Sequence, residues 1–249
     1  MTKKLIIIGI IGILLIIAIC LSIILRPKSK EEIPVEEEKT IEKSKLYYLG
    51  HASLRIVTSE GKVIYIDPYM GNDYDMPADL VLVTHAHYDH NEVSKVKNRS
   101  ADFKLITNKE ALVNGGYQTF NLGYAKIEAV PAGYNKFHSE FECVGYIITL
   151  SDNVKLYVAG DTSITPKMSE LSSLNIDYAF IPCDGTYTMT TDEAVKASEK
   201  INARYSIPYH TASDGRDFDI NVANSFNVQN RLIIKPKEEI ILTHGGNNE

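Results

Sequence analysis

Between Thr84 and His90 the chain reads THAHYDH, directly after the apolar run Leu80 to Val83. A continuous apolar stretch of this kind reads as a buried strand. Extended backbone sends residues two apart to the same side, so His85 and His87 are expected to present their imidazoles together. Asp89 and His90 follow as the chain turns, adding a carboxylate and a third imidazole, donors that zinc accepts. A metal-free histidine loop is the competing reading, but imidazoles without partners are a poor way to end a buried strand. Any fold for this chain has to open the end of that strand into a polar pocket.

The surrounding pattern is strand-rich. Leu46 to Leu49, Ser53 to Thr58 and Lys62 to Ile66 read as a β meander, with a turn at Glu60-Gly61 and a stop at Asp67-Pro68. Strands are predicted at Ala78 to Thr84, Phe103 to Thr107, Ala125 to Val130, Cys143 to Leu150 and Val154 to Ala159. Later strands, at Ile176 to Ile181, near Arg204 to Pro208 and at Glu239 to Leu242, alternate with helices. Thr190 and Glu193 form a capping box for a helix with Ala194, Ala197, Ser198 and Ile201 on one face, and a second helix is expected near Val222 to Leu232. The 204 residues from Leu46 to Glu249 suffice for one domain with a substantial core. This is an α/β pattern, and it predicts two sheets between helical layers.

The H-x-H-x-D-H run resembles the signature of the metallo-β-lactamase superfamily, and the likeness extends from Leu46 to the C-terminus. Gly50-His51-Ala52-Ser53, Asp67-Pro68-Tyr69, Gly160-Asp161-Thr162, Asp184-Gly185-Thr186-Tyr187-Thr188-Met189 and Pro208-Tyr209-His210 occur in the order of its ascorbate-phosphate lactonase-like branch. That branch is distant kin of a phospholipase D that cleaves N-acyl phosphatidylethanolamine. The resemblance implies a four-layer αββα sandwich holding two zinc ions and catalysing hydrolysis. His85 and His87 would bind the first ion, Asp89 and His90 the second, Asp161 would bridge them, and His210 would complete the second site. Many members carry a histidine just after the strand matched by Ala125 to Val130, and Asn135 stands in that place here. Imidazole binds zinc far better than a neutral amide, so His138 is the preferred ligand and Asn135 the alternative. With neither, a single-metal enzyme would result.

The resemblance further implies that Asp89 orients the water or returns a proton to the leaving group, while Asp67 is expected to fix the outer nitrogen of a ligating imidazole. His51 belongs either near the pocket or to a turn, and His244 is expected to be solvated. A noncatalytic or redox metal-binding module on the same fold is the alternative function. Diiron relatives place a carboxylate where His87 stands, so the imidazole favours zinc.

Charge and hydropathy narrow the partners. Leu5 to Leu25 holds 21 residues without a charge, enough to cross a bilayer as a single-pass N-terminal anchor. A cleaved signal peptide is the rival, but the run is long and ends in Arg-Pro rather than at a small-residue site. Lys3 and Lys4 on one flank against Arg26, Lys28 and Lys30 on the other leave its orientation open. Residues 1–30 are thus read as anchor and flanks, residues 31–45 as an acidic tether, and residues 46–249 as the hydrolase domain. With five cations and no acid in residues 1–30, the overall charge of −6 leaves −11 on residues 31–249, which disfavours nucleic acid as a partner. A small-molecule or lipid-derived ester, lactone or phosphodiester is the expected substrate. Cys20 falls in the apolar run, and Cys143 and Cys183 lack the paired spacing of a thiolate zinc site, so they read as packing residues.

Overall fold

The computed structural model describes residues 43–245, all within one compact unit spanning residues 41–249. The apolar run at 5–25 and the tether up to residue 42 lie outside the described residues. Among the described residues no helix is long and apolar enough to cross a membrane.

Two six-stranded sheets face each other. The first contains β1 (Lys45–Gly50), β2 (Ser53–Val57), β3 (Val63–Ile66), β4 (Ala78–Leu82) and β5 (Arg99–Ile106), with β14 (Glu239–Ile241) added beside β1. Between β5 and the second sheet come α1 (Asn108–Ala111) and a small hairpin of β6 (Leu112–Val113) and β7 (Gly116–Tyr117). The second sheet runs β8 (Thr119–Asn121), β9 (Ala125–Pro131), β10 (Val144–Leu150), β11 (Lys155–Val158), β12 (Tyr178–Pro182) and β13 (Tyr205–Tyr209) in chain order. Helix α2 (Met168–Leu171) precedes β12, α3 (Thr191–Ile201) joins β12 to β13, and α4 (Ile220–Ser225) follows β13.

Period-two alternation accounts for the layers. Ile64, Ile66, Leu80 and Leu82 of the first sheet meet Tyr146, Ile148, Leu156, Val158, Tyr178 and Phe180 of the second in one buried core. The residues between them point outward into two further clusters. Tyr157, Ala179 and Ile181 pack beneath α2 and α3 through Met168, Leu171, Ala194, Ala197 and Ile201. Val63, Tyr65, Val81 and Val83 are covered by Tyr74, Val93 and Val96. These last residues belong to loops and to a 3-10 turn at Val93–Lys95, so the expected helical layer on the first sheet is a loop layer among the described residues.

The second predicted helix also differs. It runs only over Ile220–Ser225, because the following segment bonds to β13 instead: the Ser206 N–H donates to the Asn230 carbonyl and the Leu232 N–H to the Ser206 carbonyl. Helix α3 begins at the expected capping box, with Thr190 and Glu193 bonding reciprocally to each other's backbone.

Strand direction positions the site. In the first sheet β3 and β4 are parallel, and in the second β11, β12 and β13 are parallel while β9 runs the same way by two antiparallel steps through β10. Each of these strands therefore delivers the residues that follow it to a common edge of its own sheet.

Candidate metal centre

Six strand ends supply the centre. Asp67 follows β3, the segment from Thr84 to His90 follows β4, His138 lies in the loop after β9, Asp161 follows β11, Asp184 follows β12, and His210 follows β13. Strand β4 ends at Leu82, so the histidines lie on a bend rather than on the extended backbone expected from their spacing. They converge nonetheless, with His85 Nε2 3.1 Å from His87 Nδ1. His138 brings its Nε2 to within 3.1 Å of the same His87 nitrogen. Asn135 is partly buried and shapes the loop: its Oδ1 accepts from the N–H groups of Phe137 and His138, both at 2.9 Å.

A second group joins the first. Ligand atoms of His51, Asp89, His90 and His210 all lie within 4.8 Å of one another, as do those of His85, His87 and His138, and those of His85, His90 and Asp161. Asp161 stands between the groups: its Oδ1 is 3.3 Å from His90 Nε2, and its Oδ2 is 3.3 Å from both His138 Nε2 and His210 Nε2. The structure thus brings together all seven residues singled out as ligands.

The outer shell is equally ordered. Asp67 Oδ2 lies 2.8 Å from His90 Nδ1, while the Thr84 N–H donates to Asp67 Oδ1 at 2.7 Å and the Thr84 hydroxyl to Asp67 Oδ2 at 2.7 Å. Thr84 Oγ1 is also 3.1 Å from His85 Nδ1. Asp184 Oδ2 lies 3.1 Å from His210 Nδ1, a partner that sequence reasoning missed; only its place in the Asp-Gly-Thr-Tyr motif hinted at it. His51 lines the cleft with a positive φ of 53° and its Nε2 3.3 Å from Asp89 Oδ2. His244 is not simply solvated: its Nδ1 lies 2.9 Å from Asp177 Oδ2, away from this cluster.

Several buried atoms here have no hydrogen-bond partner, among them His90 Nε2, His210 Nε2 and Asp161 Oδ1. Such groups are costly unless something satisfies them, and a cation accepting their lone pairs does so. The electrostatics agree. Burial lowers the imidazolium stability of His85 strongly and that of His138 as well. For His90 burial acts in the same direction, but the Asp161 and Asp67 carboxylates override it and hold the ring well above its ordinary value. His210, beside Asp161 and Asp184, is likewise raised to about 9 despite burial. Burial would raise Asp161, yet the imidazoles of His210 and His90 hold it well below the usual carboxylate range. Buried carboxylates thus demand positive charge at this spot, which protons on His90 and His210 supply when no cation does.

A cleft of about 470 Å³ opens over the cluster, lined by His51, His87, Asp89, His138, Asp161 and His210 among others. The sequence profile described as the β-lactamase superfamily domain matches residues 45–210, a span that contains every candidate ligand. The chain belongs to the metallo-β-lactamase superfamily. Within the superfamily it is 35% identical over 224 residues to a UPF0173 metal-dependent hydrolase of Thermococcus onnurineus, covering 78% of this chain and 97% of that one. The crystal structure of a Parabacteroides distasonis protein described as a metal-dependent hydrolase aligns with a TM-score of 0.62 at 28% identity, over 75% of this chain and 90% of the other. Igni18, a metallo hydrolase of Ignicoccus hospitalis, shares the fold with a TM-score of 0.58 at 23% identity, over 80% and 97% of the two chains. The metallo-β-lactamase membership and these relatives make the chain a metal-dependent hydrolase, and their names carry no narrower branch.

Proposed function

We propose that this hydrolase uses two zinc ions to cleave an ester-type bond, a lactone or phosphodiester of a small or lipid-derived substrate, and that the run at 5–25 anchors it to a membrane. The observation that carries the reading is Asp161, 3.3 Å from His90, His138 and His210 and so shared by both groups of donors. A carboxylate in that position offsets the repulsion between two neighbouring cations. Imidazoles and carboxylates without a thiolate suit zinc in a catalytic rather than a purely structural setting.

Zinc bound there would supply an acidified water and a Lewis acid for the scissile group at neutral pH. The chain's own residues do the rest. Burial works against the charge on Asp89, but His51 and His90 keep it a carboxylate, and it borders the cleft. It is placed to accept a proton from the attacking water and to hand it to the leaving group. Asp67 and Asp184 fix the rings of His90 and His210, so that each turns a chosen nitrogen inward.

Elemental analysis of purified, zinc-replenished protein tests the reading: two equivalents retained support it, and none overturns it. Iron retained in their place supports the redox alternative. Asp89→Ala is expected to cut turnover of a lactone or a generic phosphodiester by about 10²–10⁴-fold. For the anchor, an alkaline wash of membranes from cells making the full chain should leave the protein in the pellet; release to the supernatant counts against it.

A further inference from the structure

Two pairs of aromatic rings line the cleft above the candidate metal centre. Tyr69 and Tyr88 pack edge to face at 5.7 Å, with Tyr69 also 5.6 Å from the ring of His51. Phe137 and Tyr187 pack at 5.0 Å beside His138. Large rings in a folded domain are ordinarily covered, yet Tyr88 is 77% exposed, Tyr187 42% and Phe137 40%. The second pair is held in place by the loop that carries His138. Asn135 Nδ2 donates to the Tyr187 carbonyl at 3.2 Å, Asn135 Oδ1 accepts from the Phe137 N–H, and the Tyr187 N–H donates to Asp184 Oδ1 at 2.7 Å. The side chains that contact the His138 loop and the His210 ring therefore also hold the backbone of Phe137 and Tyr187, which ties the wall to the metal donors.

The cleft is poorly equipped for a strongly hydrophilic polyanion. Among the described residues that line it, Lys136 is the only lysine or arginine, and its Nζ sits 4.6 Å from the centre of the Phe137 ring. Recognition of a phosphorylated sugar draws on forked or multiple cationic donors, whereas rings with open faces favour a flat apolar group.

We infer that these four rings are the specificity-determining wall of the cleft and that the substrate carries an aryl or similarly flat apolar group next to the bond that is cut. This rests on the hydrolytic reading above and narrows it. Phosphonates test it without turnover, because methylphosphonate and phenylphosphonate offer the same anionic head to the metals and differ only in what meets the rings. Calorimetry on the full-length zinc-loaded protein should show phenylphosphonate binding about tenfold tighter. Phe137→Ala and Tyr187→Ala should each erode that preference, with methylphosphonate binding and zinc content serving as controls for folding. Equal affinity for the two phosphonates, or a preference that survives both substitutions, overturns the inference and leaves the hydrolase reading standing. If neither phosphonate binds the zinc-loaded protein, this inference is overturned as well, while the hydrolytic reading stands or falls on the retained metal.

Discussion

His138 reaches the cluster because of the residues ahead of it. Gly133 adopts φ +90°, and a Cβ there would lie 2.7 Å from the His138 carbonyl oxygen, so only glycine lets the loop close. Asn135 then accepts from two N–H groups of that loop. His138→Ala is expected to lower zinc content and to cut turnover by about 10²-fold or more. Asn135→Ala should cost about 1–2 kcal/mol in denaturant unfolding, through the loss of its three side-chain bonds, with a smaller loss of metal. Asp67→Asn and Asp184→Asn should each weaken zinc binding by about 10–100-fold in a chelator competition. The imidazoles also set a pH dependence. His210 is raised from 6.5 to about 9 in the metal-free protein. A raised folded-state value contributes stability that is present below pH 6.5 and lost as the pH climbs through about 9. Zinc no longer has to displace that proton at the upper end of the window. The rise in melting temperature on adding zinc is therefore expected to be larger at pH 9 than at pH 6.5; a rise independent of pH would contradict this assignment.

Among the strands and helices, the turn after β11 is the constraint that joins the two sheets. Gly160 has φ +65°, and a Cβ on it would lie 2.9 Å from Thr84 Cβ and 2.9 Å from the Val144 carbonyl oxygen. Thr84 is the residue that links Asp67, His85 and His90, so the exits of β4 and β11 meet at a point where no side chain fits. Gly160→Ala should cost about 1–3 kcal/mol and loosen zinc as well. Thr190→Ala offers the contrast. It removes the cap of α3 on the outer side of the second sheet and should cost about 1 kcal/mol in urea unfolding while leaving zinc content unchanged.

Taken as one body, the domain places its donors where two sheets end. Neither sheet can build the centre alone: Asp67 and the segment Thr84 to His90 come from the first, His138, Asp161, Asp184 and His210 from the second. Removing metal with a chelator should therefore lower the melting temperature of the domain as a single transition, since an ion held by His85, His87 and His138 would tie both sheets. A separate early transition with the main one unmoved would show that the centre is not shared. The loop layer over the first sheet was not legible because Tyr74 stands apart in sequence and Val93 and Val96 span a single turn, too short a pattern to read; they are buried or half-buried because they cover Val63, Tyr65, Val81 and Val83. The short α4 was not legible for a related reason, since residues after Ser225 trade helical bonds for bonds to β13.

The amino-acid order was enough to reveal the longer strands, though not the short β6, β7 and β8, together with the capping box at Thr190 and the dense donor run from His85 to His90. Each depends on neighbours within a few positions, where period and hydrogen-bonding chemistry act directly. Tertiary structure decided that His138 rather than Asn135 meets His87 from 51 residues away, that Asp184 backs His210, and that four rings overlook the cleft. Those contacts follow from strand direction and register, which set where distant chain ends meet and which no local pattern encodes.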